Sequence, residues 1–198
     1  MKSVAVIGLG YVGLPLAVEF GKQRPVIGFD VNEERIAELK NYIDKTRETD
    51  IEQLRSASSL VFTSEPEDLV GASVYIVTVP TPIDENKSPD LSAIRKASEI
   101  VGYNLACGDI VVYESTVYPG CTREVCVPIL EQASGLSHNI DFFTGYSPER
   151  INPGDKKHTL KKIIKVVSGD TKQTLQSISK LYRSIIRAGV FKAKNIQT

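Results

Sequence analysis

Gly8, Gly10 and Gly13 stand at G-x-G-x-x-G spacing in VIGLGYVG, directly after an apolar run that begins at Val4 and directly before an apolar stretch from Val12 to Phe20. That spacing has a chemical use when a strand precedes it and a helix follows. The first glycine permits a tight turn, the second lets a pyrophosphate approach the backbone, and the third lets helix and strand pack closely. The helix N-terminus then offers unpaired N–H groups and the positive end of its dipole to the phosphates, so no lysine is needed. Pro15 falls in the first helical turn, where a missing N–H does no harm. Asp30 follows Gly10 by 20 residues, at the end of the second predicted strand. A carboxylate there accepts hydrogen bonds from the adenosine ribose hydroxyls and repels a 2′-phosphate, which favours NAD. Arg35, one turn into the next helix, keeps NADP open as an alternative; it could also stack on adenine or lie on a solvated helix face.

The elements that must position these residues are legible as a rhythm of short β-branched runs between longer amphipathic stretches. Strands are expected at Val4 to Gly8, Val26 to Asp30, Leu60 to Thr63, Val74 to Val79, Ile110 to Tyr113, Phe142 to Gly145, Ile163 to Val167 and Val190 to Lys192. Several are apolar on both faces, which suits strands covered by helices on both sides. The expected fold class is therefore α/β: a Rossmann-like, doubly wound, mostly parallel sheet. Asn32 is expected to cap a helix from Glu33 to Asn41, and Asp90 one from Leu91 to Leu105. PTPIDENKSP, from Pro80 to Pro89, is too polar and proline-rich for an element and reads as a loop leaving the carboxyl end of a strand. Without a repeat or flexible linker, residues 1 to 198 are expected to form one NAD-binding domain, with a fingerprint half over 1 to 110 and a second half over 111 to 198.

Bulk composition narrows the partners. Twenty-four basic residues balance 24 acidic ones, so no overall field favours nucleic acid or an anionic membrane. No apolar stretch reaches the roughly 20 residues that span a bilayer, and the N-terminus does not read as a signal peptide, so a cytoplasmic location is expected. Cys107, Cys121 and Cys126 lack CxxC spacing and a nearby histidine pair, which argues against a disulfide framework or a metal site. All three read as small core or surface residues.

Four strings carry a resemblance that spans nearly the whole chain: VIGLGYVGLPLA (Val6 to Ala17), VPTPIDENKSPDL (Val79 to Leu91), ESTVYPG (Glu114 to Gly120) and YSPERINPGDKKH (Tyr146 to His158). They resemble the UDP-glucose/GDP-mannose dehydrogenase family, NAD-dependent enzymes that oxidise a nucleotide sugar at carbon six to a uronic acid. SPERINPGD is similar to the branch acting on UDP-N-acetylhexosamines for surface polysaccharides. The resemblance implies that Tyr11 and Val12 lie along the pyrophosphate, that Val79, Pro80 and Thr81 border the cofactor, and that Thr116 lies near the nicotinamide and helps hold a catalytic water. It also implies that Glu149 assists hydrolysis of a covalent intermediate, a role a carboxylate beside water can fill as general base. Read without the family, Ser115-Thr116 is a helix-entry cap and Glu149 a solvated loop residue. Arg150 is a candidate substrate contact. The glucose branch carries a second glutamate where this chain has Pro153, which puts a cofactor contact made by that acid in doubt.

The family's nucleophilic cysteine, with a lysine, an asparagine and an aspartate, is implied to lie beyond Thr198, as are the central helix through which full-length members dimerise and the UDP-sugar domain. VFKAKNIQT resembles the strand leading into that region. The chain alone is thus expected to bind NAD without turnover, and self-association is left open. A 3-hydroxyacid-type dehydrogenase domain and a non-catalytic NAD-binding module are the alternatives, because fold alone does not fix chemistry.

Overall fold

A computed structural model describes residues 3–83, 88–149, 160 and 162–197. Among the described residues eight strands form one sheet: β1 (Val4–Ile7), β2 (Val26–Phe29), β3 (Leu60–Thr63), β4 (Val74–Val77), β5 (Ile110–Tyr113), β6 (Phe143–Tyr146), β7 (Lys165–Gly169) and β8 (Val190–Lys192). Their order is β3-β2-β1-β4-β5-β6-β7-β8. The first six pair parallel, β7 runs antiparallel to β6, and β8 runs parallel to β7. The chain therefore reverses its winding between β1 and β4, the switch point at which open α/β sheets bind ligands.

The α-helices among the described residues are α1 (Gly13–Gly21), α2 (Glu33–Lys40), α3 (Ile51–Ser56), α4 (Ser92–Asn104), α5 (Val127–Ser134) and α6 (Lys172–Arg183). Burial follows the doubly wound expectation at the centre of the sheet, where every residue of β1, β4 and β5 is buried. Two core clusters divide along the alternation of those strands: Val4 and Val6 pack with Leu14, Phe20 and Tyr182, while Ala5 and Ile7 pack with Ile94, Val101 and Leu130.

Local start signals behave unevenly. The Asn32 side chain accepts the Arg35 N–H and caps α2 as expected. At α4 the cap position is Leu91, and the Asp90 carboxylate instead accepts the Ser92 N–H at 2.8 Å, one residue inside. Strand ends shift by one or two residues. β4 stops at Val77, not Val79, and the next residue, Thr78, turns its hydroxyl back onto the Ile7 and Gly8 carbonyls at 3.0 and 2.7 Å. β6 and β7 begin later than expected, at Phe143 and Lys165. Among the described residues no helix is long and apolar enough to cross a membrane.

Candidate functional site

Past its last paired residue each parallel strand continues onto one edge of the sheet. Backbone bonds tie these extensions side by side: Gly8 N–H to Phe29 O at 2.8 Å, Thr78 N–H to Ile7 O at 2.9 Å, Glu114 N–H to Val77 O at 2.8 Å and Ser147 N–H to Tyr113 O at 2.9 Å. A cavity of about 670 Å³ opens along this edge. Gly8, Gly10, Tyr11, Val12, Asp30, Val79, Pro80, Thr81, Thr116 and Glu149 all line it. Arg150 and Pro153 lie outside the described residues.

The three glycines differ physically. Gly8 has φ +93°, which L side chains rarely adopt. A Cβ on Gly13 would stand 1.9 Å from the Gly8 carbonyl oxygen and 2.4 Å from Thr78 Oγ1, so Gly13 lies in the packing contact beneath the turn, outside the cavity lining. A Cβ on Gly10 would meet nothing within 4 Å and would project into open space. The backbone is thus bare where a pyrophosphate must come close. No side chain caps the N-terminus of α1 and no acid stands in its first turn, so the positive end of the helix faces an anion unopposed.

Asp30 is oriented by two backbone donors: Leu9 N–H reaches Oδ2 at 2.8 Å and Asn32 N–H reaches Oδ1 at 3.0 Å. A carboxylate has about four acceptor sites, so capacity remains for hydroxyls from the cavity. Arg35 does not lie on a solvated face. Its Nε donates to Leu9 O at 3.0 Å and its Nη2 pairs with Asp44 at 2.7 Å, with only 10% of the side chain exposed. Arg35 braces the glycine turn from behind and does not line the cavity. Asp44 in turn gathers the Thr46, Glu48 and Thr49 N–H groups. Burial works to raise its pKa, but the hydrogen bonds from Thr46, Arg35 and Thr49 prevail and hold it below the usual value.

At the other end of the cavity the Ser115 hydroxyl donates to Val79 O at 2.6 Å and the Thr81 hydroxyl donates to Thr116 O, which stitches the loops after β4 and β5 together. Thr116 is exposed in this loop and no helix starts there, so Ser115-Thr116 is not a helix-entry cap. Glu149 is not a solvated loop residue: 8% of its side chain is exposed and its Oε2 lies 4.0 Å from Lys165 Nζ. Behind it, Glu114 is fully buried at the cavity floor, accepting from Lys165 Nζ at 2.6 Å on one oxygen and from the Tyr182 hydroxyl on the other. Burial pushes the Glu114 carboxyl above its ordinary value, the Lys165 ammonium pulls it back, and nearby Glu149 pushes it up again. Burial and the Glu114 charge raise the Tyr182 phenol well above its usual value, so it remains a donor.

Sequence reading alone did not single out Glu114, Lys165, Thr78 or Tyr182. One signal was present: Glu114 follows the wholly apolar IVVY of β5, and an acid at the carboxyl end of a buried strand is placed at the ligand edge. No such signal marks Lys165. Cys121 and Cys126 are buried and Cys107 is exposed, as expected, and no cysteine is among the described residues that line the cavity. The described residues contain no cluster of three or more potential metal ligands.

Comparison with known proteins gives these features a lineage. The chain is 61% identical over 194 residues to the UDP-N-acetyl-D-glucosamine 6-dehydrogenases of Pseudomonas aeruginosa and Salmonella typhi, covering 98% of this chain and 46% of each relative. It thus spans about half the length of these curated relatives. A solved structure described as a UDP-D-ManNAc dehydrogenase from Pyrococcus horikoshii superposes with a TM-score of 0.87 at 31% identity, covering 98% of this chain and 47% of that one. Residues 2–186 match the NAD binding domain of the UDP-glucose/GDP-mannose dehydrogenase family. The glycine turn, the acid after β2 and the loops after β4, β5 and β6 therefore sit in a chain that belongs to this family and contains its NAD-binding domain.

Proposed function

We propose that this chain serves as the cofactor half of a dehydrogenase that oxidises carbon six of a UDP-N-acetylhexosamine to the uronic acid in two hydride transfers, for surface polysaccharide synthesis. One observation carries this reading: a single cavity joins the bare glycine turn and Asp30 at one end to Thr116 and Glu149 at the other. A dinucleotide laid along the switch point would place its adenosine ribose at Asp30, its pyrophosphate over Gly10, Tyr11 and Val12, and its nicotinamide toward Val79, Pro80, Thr81 and Thr116. Bound there, NAD supplies the hydride acceptor. The Thr116 hydroxyl can both donate to and accept from a water, and the Glu149 carboxylate can take a proton from that water as it attacks. The match to the family over 2–186 favours this reading over a 3-hydroxyacid dehydrogenase domain or a non-catalytic module.

The same proposal treats residues 1–198 as one domain, places the nucleophilic cysteine and most sugar contacts in a segment outside this chain, and gives the complete protein a homodimeric form. It also places the protein in the cytoplasm, a reading supported by three unpaired thiols, which persist in reducing compartments.

Two measurements test the proposal. Calorimetric titration of this chain is expected to show NAD binding at least about tenfold tighter than NADP, a difference of about 1.4 kcal/mol, and Asp30→Ala is expected to narrow that ratio. Equal affinity in the unsubstituted chain refutes the role given to Asp30. The chain alone, supplied with NAD and a UDP-N-acetylhexosamine, is expected to make no NADH, whereas the polypeptide that adds the cysteine-bearing segment makes two NADH per sugar. Absence of turnover from that longer polypeptide on UDP-GlcNAc and UDP-GalNAc, with turnover on another substrate, overturns the substrate class.

A further inference from the structure

We infer that Lys165 is a positioning residue, locked by Glu114 and Tyr182, that holds the Glu149 carboxylate at the cavity in the orientation its work requires. The inference deepens the preceding proposal and rests on its assignment of Glu149 as the group that receives the proton of the attacking water.

The topology explains how a lysine from outside the parallel sheet reaches this place. β7 runs antiparallel to β6, with Tyr146 opposite Ser168. Extended three residues forward from Tyr146 and three back from Ser168, that register would set Glu149 opposite Lys165. A parallel β7 would have presented its carboxyl end here and sent Lys165 to the far edge of the sheet. The reversed strand delivers its first residue to the edge where the parallel strands end.

Lys165 is fixed once there. Its Nζ lies 2.6 Å from Glu114 Oε2, 3.5 Å from the Pro148 carbonyl oxygen and 4.0 Å from Glu149 Oε2. The same ammonium stands 5.7 Å from the centre of the Tyr182 ring, whose hydroxyl donates to the other oxygen of Glu114. With 7% of the Lys165 side chain exposed and 1% of Glu114, water competes little for either charge. Glu114 therefore anchors the cation, and the Pro148 carbonyl ties it to the backbone immediately before Glu149. A buried lysine whose only role was to neutralise Glu114 would not need to approach that loop. At 4.0 Å the ammonium attracts the Glu149 carboxylate while keeping its shorter contact, at 2.6 Å, for Glu114.

In the step concerned, the water oxygen bonds to the acyl carbon of the enzyme-bound thioester, the carbon–sulfur bond breaks and its electrons return to sulfur as thiolate. One water proton passes to Glu149 and the uronic acid leaves. A displaced Glu149 would slow this step while leaving cofactor capture at the glycine turn intact.

The test uses the longer polypeptide that carries this chain with its cysteine segment. Removing Lys165 alone strands the Glu114 charge, so the decisive variant is the double substitution Glu114→Gln/Lys165→Met, which removes both charges of the buried pair at once. It is expected to fold, to bind NAD within about twofold of the parent, to lose roughly 10- to 100-fold in kcat, and to accumulate a substrate-derived covalent adduct visible by intact mass. Lys165→Arg is expected to recover most of the rate, because it restores the cation. Glu149→Gln serves as the reference. If Glu149→Gln slows turnover and accumulates adduct while the double variant turns over like the parent, the inference about Lys165 is wrong and the reading of Glu149 survives. If Glu149→Gln itself turns over normally, the assignment of Glu149 falls and the inference falls with it.

Discussion

Gly13→Ala is expected to produce a chain that melts roughly 6 to 12 °C lower and no longer binds NAD measurably, at a cost of about 3 kcal/mol or more. The added methyl would stand 1.9 Å from the Gly8 carbonyl oxygen and 2.4 Å from Thr78 Oγ1. The first clash is with backbone, which cannot rotate aside as a flexible side chain can. Relief requires α1 to lift from β1, and that moves the Gly8 turn and breaks the Thr78 hydroxyl bonds to the Ile7 and Gly8 carbonyls. Gly10→Ala, three residues earlier, is the matched control. Its methyl meets nothing within 4 Å, so melting should shift by no more than about 2 °C. NAD affinity should nevertheless fall at least about tenfold, because the methyl occupies the space through which a pyrophosphate would reach the backbone. Differential scanning calorimetry and isothermal titration on both variants separate the two roles. A Gly10→Ala chain that binds NAD like the parent would falsify the placement of the pyrophosphate.

Lys165→Met is expected to be the most damaging single change at the cavity floor, costing about 3 to 5 kcal/mol near pH 8, because it leaves the Glu114 carboxylate buried without its counter-charge. The loss should depend on pH in a definite direction. Glu114 already has a folded pKa above its ordinary value of 4.5, with burial as the main cause and Lys165 as the chief restraint. Removing the restraint raises it further. A carboxyl with a raised folded pKa takes up a proton on folding, so its contribution is fully present below the unfolded value and is lost as pH rises through the folded value. The melting deficit of Lys165→Met relative to the parent should therefore be largest at pH 8 and shrink toward pH 5. Glu114→Gln/Lys165→Met should lack this pH dependence. A deficit that stays constant from pH 5 to pH 8 would show that lost packing of the lysine stem, not the stranded charge, is responsible.

Much of the cofactor end of the cavity is legible in the chain because its parts are close in sequence. Gly8, Gly10 and Gly13 occupy one turn, and Asp30 ends the next strand, so pattern and spacing suffice to place them together. Arg35 is different. Its position in α2 was readable, but its bonds to Leu9 and Asp44 depend on how the segment after α2 folds back, and a long side chain on a first helical turn has many geometries before packing selects one. Glu149 lies in YSPERINPGDKKH, yet nothing local to that stretch separates an enclosed carboxylate from a solvated one. Tertiary structure supplies that distinction: the antiparallel β7 brings Lys165 to 4.0 Å from the Glu149 carboxylate.

The order of apolar runs, the glycine turn and the acid after β2 are sufficient to derive a doubly wound sheet with a dinucleotide edge, because each depends on local steric rules and on burial that repeats with the period of its element. The sequence of types did not determine that Glu114 and Lys165, 51 residues apart, become a buried pair facing Glu149. That pairing needed the direction of β7. Strand direction is chosen by connection length and by packing against the whole sheet, not by the residues of the strand itself, so the charge behind Glu149 emerges only when the sheet is assembled.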